Sequence, residues 1–450
     1  MRVVIIGGSH AGIAAARRLK KMDANIEVFI IERSNILGYV GSGLNLYLEG
    51  IISNLTEAKT YSTTQLSAEG INVYLNTEAI TIQNEQKQVI VSSSSEQKAK
   101  ENISYGYLIL AMGSSQYQTD FPLQSSQEMI NYKTLPQAKQ AMTHLQSAKI
   151  VTIIGAGLIG LELANTLAKY QKEIYIVERM DSVLFRYFDK EMTQKLIESF
   201  PENVHIFLNN SVEKINLNEQ KQEKEVILSN KDTLVCDEVV FAINPRPNVN
   251  LVADTLTINQ DGAVCTDQYL QTSDPFIYAV GDLISIDFND SASAMYLPLV
   301  TNAYRTGIVA ASNIFMKEKI PFSKVQRTVV SKLFGFYLAS SGINKTEALY
   351  HGFQTSSITK TYTQKQLFAK EDGFELTLRL VFDQESKQIR GAQLVTNSPE
   401  SLEIINTISA LITMQASLQQ IATMDFYFNP KLSLPLHFLN DLALEALSKE

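Results

Sequence analysis

VVIIGGSHAGIAAARRLKKMDANIEVFIIER, residues Val3 to Arg33, opens with a β-branched run, passes through glycines, and continues with alanine and leucine at helical spacing. A second β-branched run then ends in Glu32-Arg33. The order is strand, glycine-rich turn, helix, strand. Such a turn lets backbone approach a pyrophosphate, the helix N-terminus supplies partial positive charge, and an acid closing the second strand hydrogen-bonds ribose hydroxyls. VTIIGAGLIGLELANTLAKYQKEIYIVER, Val151 to Arg179, repeats the order and again closes on Glu-Arg, here Glu178-Arg179. Glu32 stands 25 residues beyond Gly7, and Glu178 stands 23 beyond Gly155. Gly155, Gly157 and Gly160 complete a G-x-G-x-x-G, whereas the first copy, bounded by Gly7 and Gly12, carries Ser9 at the middle position. One match is weak, because glycines also serve helix packing; two with the acid in place predict two nucleotide sites. An acid at Glu178 repels a 2′-phosphate, so the second site is expected to take NAD rather than NADP.

The duplication continues downstream. ITIQNEQKQVIV (Ile80 to Val91) corresponds to KINLNEQKQEKEVIL (Lys214 to Leu228), with NEQKQ in common, and each reads as two short strands around a polar turn. Each half closes with an apolar run, YLILAMGSS (Tyr107 to Ser115) and EVVFAINPRPN (Glu238 to Asn248). The polar run SSSSEQKAKEN, Ser92 to Asn102, is expected to be a loop. The same order of elements twice predicts an α/β fold with two Rossmann-like dinucleotide-binding domains. Towards the C-terminus the pattern changes. FELTLRLVFDQESKQIRGAQLV (Phe374 to Val395) reads as paired strands, and LEIINTISALITMQASLQQIATM (Leu402 to Met424) as one long helix or two. A third, α+β module with no fingerprint of its own is expected there.

The 450 residues leave room for two to four domains. A net charge of −8 with 19% charged residues suits a globular protein and argues against a nucleic-acid footprint, which needs clustered positive charge. The densest basic patch, RRLKK (Arg17 to Lys21), falls on the first helix and reads as a solvated face. Cys236 and Cys265 form neither a C-x-x-C nor a disulfide framework, so a reducing, cytoplasmic setting is expected, with both thiols packed rather than redox-active. No apolar run reaches the ~18 residues needed to cross a bilayer. The opening MRVVIIGG runs straight into a strand, so no signal peptide is expected. Nothing points to a metal.

GGSHAG (Gly7 to Gly12), AMGSS (Ala111 to Ser115), IIGAGLIGLELA (Ile153 to Ala164), FRYFDKEM (Phe185 to Met192), FIYAVGD (Phe276 to Asp282), LPLVTNAYRTG (Leu297 to Gly307), SSGIN (Ser340 to Asn344) and MDFYFNP (Met424 to Pro430) follow one another along the chain. In that series the chain resembles the pyridine nucleotide–disulfide oxidoreductase family, in the branch of NADH oxidases, NADH peroxidases and coenzyme A-disulfide reductases. The resemblance implies a glutathione-reductase-like architecture. An FAD-binding domain would be built from residues 1–115 and 243–322, an NAD(H)-binding domain from 116–242, and a C-terminal module, 323–450, would form a homodimer. It implies FAD contacts from Gly7, Ser9, Gly12, Glu32, Arg33, Ala111, Gly113, Gly281, Asp282, Leu299 and Thr301, and NAD contacts from Gly155, Gly157, Gly160 and Glu178. Asp282 is expected on the ribityl chain, because a buried carboxylate needs hydroxyl partners; the alternative is a plain helix cap. LPLVTNAYRTGIVAASNI reads as a helix with Ala303, Gly307, Ala310 and Ile314 on one face. By the resemblance its N-terminus points at the isoalloxazine, where its dipole favours anionic reduced flavin. Coenzyme A phosphates on the RRLKK helix rest on family analogy alone.

One stretch departs from the family. In GYVGSGLNLYL, Gly38 to Leu48, Ser42 stands where this branch carries a single redox cysteine, and Gly38 and Gly41 also differ from the usual residues. A cysteine thiolate attacks peroxide or disulfide and cycles through sulfenic acid or a mixed disulfide, whereas a serine hydroxyl has no accessible redox state. The glycines are expected to let the chain pass close to the flavin. His10 matches the family's histidine near the thiol. At a helix N-terminus its neutral form is favoured, able to relay a proton or simply to hydrogen-bond Ser42 or backbone. His437, beyond MDFYFNP, is expected at the subunit interface. The expected activity is hydride transfer from NADH to FAD and then electrons to oxygen, giving hydrogen peroxide, with no thiol-based peroxide or disulfide reduction. A quinone or an electron-transfer protein as acceptor, and a non-catalytic FAD/NADH-binding sensor, stay open as alternatives.

Overall fold

The computed structural model describes residues 1–93, 100–116, 129–218, 223–243, 245–288, 294–364, 374–430 and 433–449. In the first copy, strand Arg2–Ile6 lies between Glu27–Ile31 and Tyr107–Leu110, with Ile71–Tyr74 and Ile277–Ala279 at the edges, all parallel. Val3, Val4 and Ile5 are fully buried, as a near-continuous apolar run at the centre of a parallel sheet requires. Ile277–Ala279 arrives from beyond the second copy, so this sheet draws on two separate stretches of chain. The second copy repeats the pattern in four parallel strands, ordered Val204–Phe207, Glu173–Val177, Ile150–Ile154, Glu238–Phe241. In each sheet the strand before the glycines is flanked by the acid-bearing strand and the closing strand.

Each expected two-strand hairpin is present and is joined by a third strand. Thr77–Gln83, Gln88–Ser93 and Lys100–Ser104 form one antiparallel sheet, and Val212–Asn218, Glu223–Leu228 and Thr233–Cys236 the other. The run Ser92 to Asn102 is therefore strand at both ends. Lys100, Glu101 and Asn102 pair with Ser92, Val91 and Ile90 and leave their side chains in solvent, the composition of an edge strand. Residues 94–99 of that run, and 219–222 of the second NEQKQ, lie outside the described residues. Cys265 lies outside any strand, and its neighbour Val264 makes only isolated bridges to Ile258 and Ile284. Both cysteines are free thiols, and burial pushes that of Cys236 up to about 11.

The third module is a five-stranded antiparallel sheet ordered Val329–Leu333, Phe336–Gly342, Ile389–Thr396, Phe374–Asp383, Thr355–Gln364. Leu376, Leu378, Leu380 and Leu394 pack against Ile405, Ile408, Ile412, Leu439 and Leu442 of the helices Ile404–Thr413 and Phe438–Ser448. The apolar run from Leu402 to Met424 is two helices. Gln415 takes a positive φ of 54°, and Ser417 starts the second helix, Leu418–Ala422, with a capping box to Gln420. Among the described residues no helix is long and apolar enough to cross a membrane.

The Ser42 stretch leaves the first sheet and packs on the second unit. Leu44, Leu48 and Leu55 are buried in one core with Leu161, Leu163 and Leu167 of the helix Leu158–Ala168. Tyr170 donates its hydroxyl to Leu48 O, and Thr166 donates to Glu49 Oε1 at 3.2 Å. Ser42 is thereby carried on a segment anchored between the two repeated units.

Candidate active site

The two glycine turns are built alike. Gly7 and Gly155 take φ of 110° and 107°, a region closed to residues with a Cβ, and their N–H groups donate to Ile31 O and Val177 O. A Cβ at Gly12 would lie 1.9 Å from Gly7 O, and one at Gly160 would lie 2.0 Å from Gly155 O, so each helix presses onto its own turn. The middle position differs. Gly157 takes an ordinary φ of −78° with open space around it, and Ser9 takes −105° as N-cap of the helix His10–Met22. Serine there is no defect in the turn.

The closing acids are also held alike. Glu32 accepts Gly8 N–H at 2.7 Å and Ser34 N–H at 2.8 Å on its two oxygens. Glu178 accepts Ala156 N–H and Met180 N–H, each at 2.8 Å. A carboxylate offers about four acceptor positions, so two remain on each for ribose hydroxyls. Arg33 and Arg179 follow, both exposed.

Asp282 sits in the short turn Gly281–Leu283 after the strand Ile277–Ala279. It is not a helix cap. Its carboxylate accepts Ser114 Oγ at 2.9 Å and Lys133 Nζ at 3.4 Å, while Lys133 also donates to Ser114. Tyr296 donates its hydroxyl to Asp282 O at 3.0 Å. The turn is tied to the helix Val300–Asn313 by Gly281 N–H, which donates to Thr306 Oγ1 at 3.0 Å. That helix crosses the first one closely: a Cβ at Gly307 would lie 2.3 Å from Ala11 O, and Ala303 and Ala310 are buried on the same face. Leu299 precedes it as N-cap and Thr301 is exposed in its first turn. Ala111 lies under Gly7, whose Cβ would meet Ala111 O at 2.2 Å, and Gly113 takes φ 63° with open space beside it.

His10 opens the first helix. Burial lowers its basicity and Asp282 pulls the other way with less effect, leaving the imidazole neutral at pH 7. Its Nδ1 is buried with no hydrogen-bond partner among the described residues, so the expected bond to Ser42 or backbone is not made at that atom. Its ring lies 5.7 Å from that of Tyr304. Ser42 is exposed as N-cap of the short helix Gly43–Leu48, and its hydroxyl makes no capping bond. Protein packing explains two of the neighbouring glycines, since a Cβ at Gly38 would lie 2.3 Å from Thr60 Oγ1 and one at Gly43 would lie 2.6 Å from Ala58 Cβ. Gly41 rests 3.9 Å (from its would-be Cβ) from Lys133 Cγ in ordinary contact. Lys133 thus links the Ser42 stretch to Asp282, and burial lowers its ammonium's pKa while Asp282 partly restores it. Sequence patterns offered no signal for Lys133 or Tyr296, which lie in no fingerprint and are joined to the site only by the fold.

The basic helix is largely occupied. Arg17 bonds Glu69 and Tyr61, Arg18 donates to Ser312 Oγ at 2.8 Å, and Lys20 donates to the carbonyls of Ala24 and Ile26. His437 lies away from these groups, stacked on Phe426 at 4.1 Å and accepting Leu439 N–H on Nδ1.

The cradles fit two dinucleotides: a turn that only glycine can make, open space at its middle position, and an acid with acceptor capacity left, twice. Asp282 with Ser114, and the unpartnered His10 Nδ1, add polar groups at the first cradle. Residues 1–307 match the family model of pyridine nucleotide-disulphide oxidoreductases, and residues 327–437 match that family's dimerisation domain. The chain is 27% identical to an NADH oxidase of Enterococcus faecalis and 29% identical to an NADH oxidase of Lactococcus lactis. The first alignment covers 99% of both chains, and the second 99% of this chain and all of the relative. It is also similar to the solved structure of a water-forming NADH oxidase from Lactobacillus brevis bound to NADH. There the TM-score is 0.93 at 26% identity, over 100% of this chain and 98% of the other. Two glycine cradles, two closing acids and a matched dimerisation module agree with those likenesses, and the chain belongs to the pyridine nucleotide-disulphide oxidoreductase family, whose members work with FAD and NAD(H).

Proposed function

We propose that the chain is an FAD-dependent NADH oxidoreductase that passes electrons from NADH to oxygen and releases hydrogen peroxide. Ser42 carries this reading, because it puts a hydroxyl where a thiol would be needed to take peroxide on to water. FAD when bound supplies the two-electron relay between NADH and the acceptor. Overall, NADH, oxygen and one proton give NAD⁺ and hydrogen peroxide.

The chain's own residues bind and orient. Gly7, Gly12, Glu32, Arg33, Ala111 and Gly113 hold the adenine-side half of FAD, while Asp282, Leu299 and Thr301 hold the flavin half. Lys133 and Ser114 hold the Asp282 carboxylate in position. Gly155, Gly157, Gly160 and Glu178 hold NAD(H). His10, kept neutral by burial, has a free Nδ1 at which a proton can be accepted and passed to the reduced acceptor. The domain boundaries read from the sequence serve this assignment, with FAD on 1–115 and 243–322, NAD(H) on 116–242 and dimerisation through 323–450. A homodimer is supported by the exposed Met414, Tyr427 and Phe428 of the third module. The two free thiols fit a cytoplasmic setting.

The test is anaerobic titration of the purified yellow protein with NADH. Loss of the flavin colour with one equivalent is expected. A protein that binds NADH and stays yellow is a sensor rather than an enzyme, and the proposal fails.

A further inference from the structure

The chain enters the third module beside the core of the first sheet, where Val325 N–H donates to Asp287 O at 2.8 Å and Val325 bridges Phe288. Two residues on, Arg327 is 4% exposed and takes a φ of 50°, in the left-handed region where a side chain is strained. Its guanidinium holds both oxygens of Glu347, on the helix Lys345–Tyr350, with Nη1 at 2.8 Å from Oε1. It also lies over two rings, 4.8 Å from the centre of Phe288 and 5.4 Å from that of Tyr187. Phe288 belongs to the core of the first sheet, and Tyr187 packs on the core of the second. One planar cation therefore touches both nucleotide-binding units and the third module. It is kept at two costs: a strained backbone, and an Nε buried with no partner among the described residues. An ammonium could neutralise Glu347, but only a planar fork can do so while spanning two rings.

We propose that Arg327 is a positioning residue for hydride transfer: held by Glu347, it fixes the two nucleotide-binding units at the alignment that brings nicotinamide onto flavin. The inference rests on the reading of the first copy as the FAD site and the second as the NAD(H) site. Misplacing a reactant by about 1 Å costs about 10²-fold in rate, so a joint remote from the reacting atoms governs it. Tyr170 on Leu48 and Thr166 on Glu49 also join the units. Without Arg327 the units therefore stay together and lose alignment.

The experiment takes the FAD-loaded protein, reduced with dithionite without oxygen, and adds NAD⁺ to saturation. Stacking of nicotinamide on reduced flavin is read as a long-wavelength charge-transfer band, which needs no turnover. NAD⁺ affinity is measured separately by calorimetry, and the rate of flavin bleaching at saturating NADH by stopped flow. Arg327→Met combined with Glu347→Leu removes the pair and leaves no buried charge unpaired. In that variant the band is expected to fall about fivefold and the bleaching rate about tenfold, while NAD⁺ affinity changes by less than about twofold. Arg327→Lys keeps the charge, loses the planar fork and should fall between. Lys224 and Glu238 form a pair about as buried but within the second unit, so Lys224→Met with Glu238→Leu is the control and should keep the wild-type band and rate. A full band and rate without Arg327 overturn the inference, as does an equal loss in the control. A wild type that shows no band with NAD⁺ fails earlier, at the assignment of the two sites.

Discussion

At Ser42 the chain offers an exposed side chain at a helix start, next to a glycine that touches Lys133. Nothing in that geometry excludes a thiol. Ser42→Cys is therefore expected to fold with stability within about 0.5 kcal/mol of wild type, as exposed substitutions do. With bound flavin it should gain a long-wavelength thiolate–flavin band. A stable variant without the band would mean that the changes at Gly38 and Gly41 have closed the site to thiol chemistry as well. His10 gives a pH prediction. Its folded pKa lies below the ordinary 6.5, so the unfolded chain binds the extra proton first on acidification. Its contribution to stability is full above 6.5 and is lost as pH falls below it. Burial shifts His437 the same way. Between about pH 7.5 and 5.5 the urea midpoint should fall, and His10→Gln should fall less; equal falls would contradict a neutral buried imidazole.

Among the elements, the glycine turns show which positions the backbone needs and which the ligand needs. Gly160→Ala forces a Cβ onto Gly155 O and is expected to cost about 1–3 kcal/mol or more in unfolding free energy. Gly157→Ala meets open space and an ordinary φ, so stability should hold while nucleotide affinity drops. Equal melting temperatures for the two variants would contradict this division. The βαβ units were legible because apolar periodicity, glycines and a spaced acid are all local signals. The third strand of each antiparallel sheet was not. Lys100 to Asn102 carries polar side chains because an edge strand exposes them, and in sequence that is indistinguishable from a loop. Lys133 was illegible for another reason: it reaches Ser114 and Asp282 only through folding, and no spacing along the chain announces it.

Across the whole molecule, Asp189 ties the second unit to the third module. Its buried carboxylate accepts Thr346 N–H at 3.0 Å, Gln393 Nε2 at 2.7 Å and Arg379 at 2.9 Å. Burial alone would raise its pKa, but these bonds outweigh that and hold it below the ordinary carboxylate range. Asp189→Ala leaves Arg379 on Glu191 at 3.0 Å and Thr359 at 2.7 Å but takes the acceptor from Thr346 N–H and Gln393 Nε2, and is expected to cost about 1–3 kcal/mol by urea unfolding; a loss under about 0.5 kcal/mol would show the joint to be incidental. Sedimentation should give twice the 50.2 kDa chain mass, and a monomer would contradict the homodimer. With Ser42 in place of a thiol, the proposed reaction stops at two electrons per oxygen. It is tested by measuring hydrogen peroxide formed per NADH consumed in air by the FAD-loaded protein. A ratio close to one is expected. NADH oxidised without peroxide, with two NADH used per oxygen, would mean water is made without a thiol at this position and would contradict it.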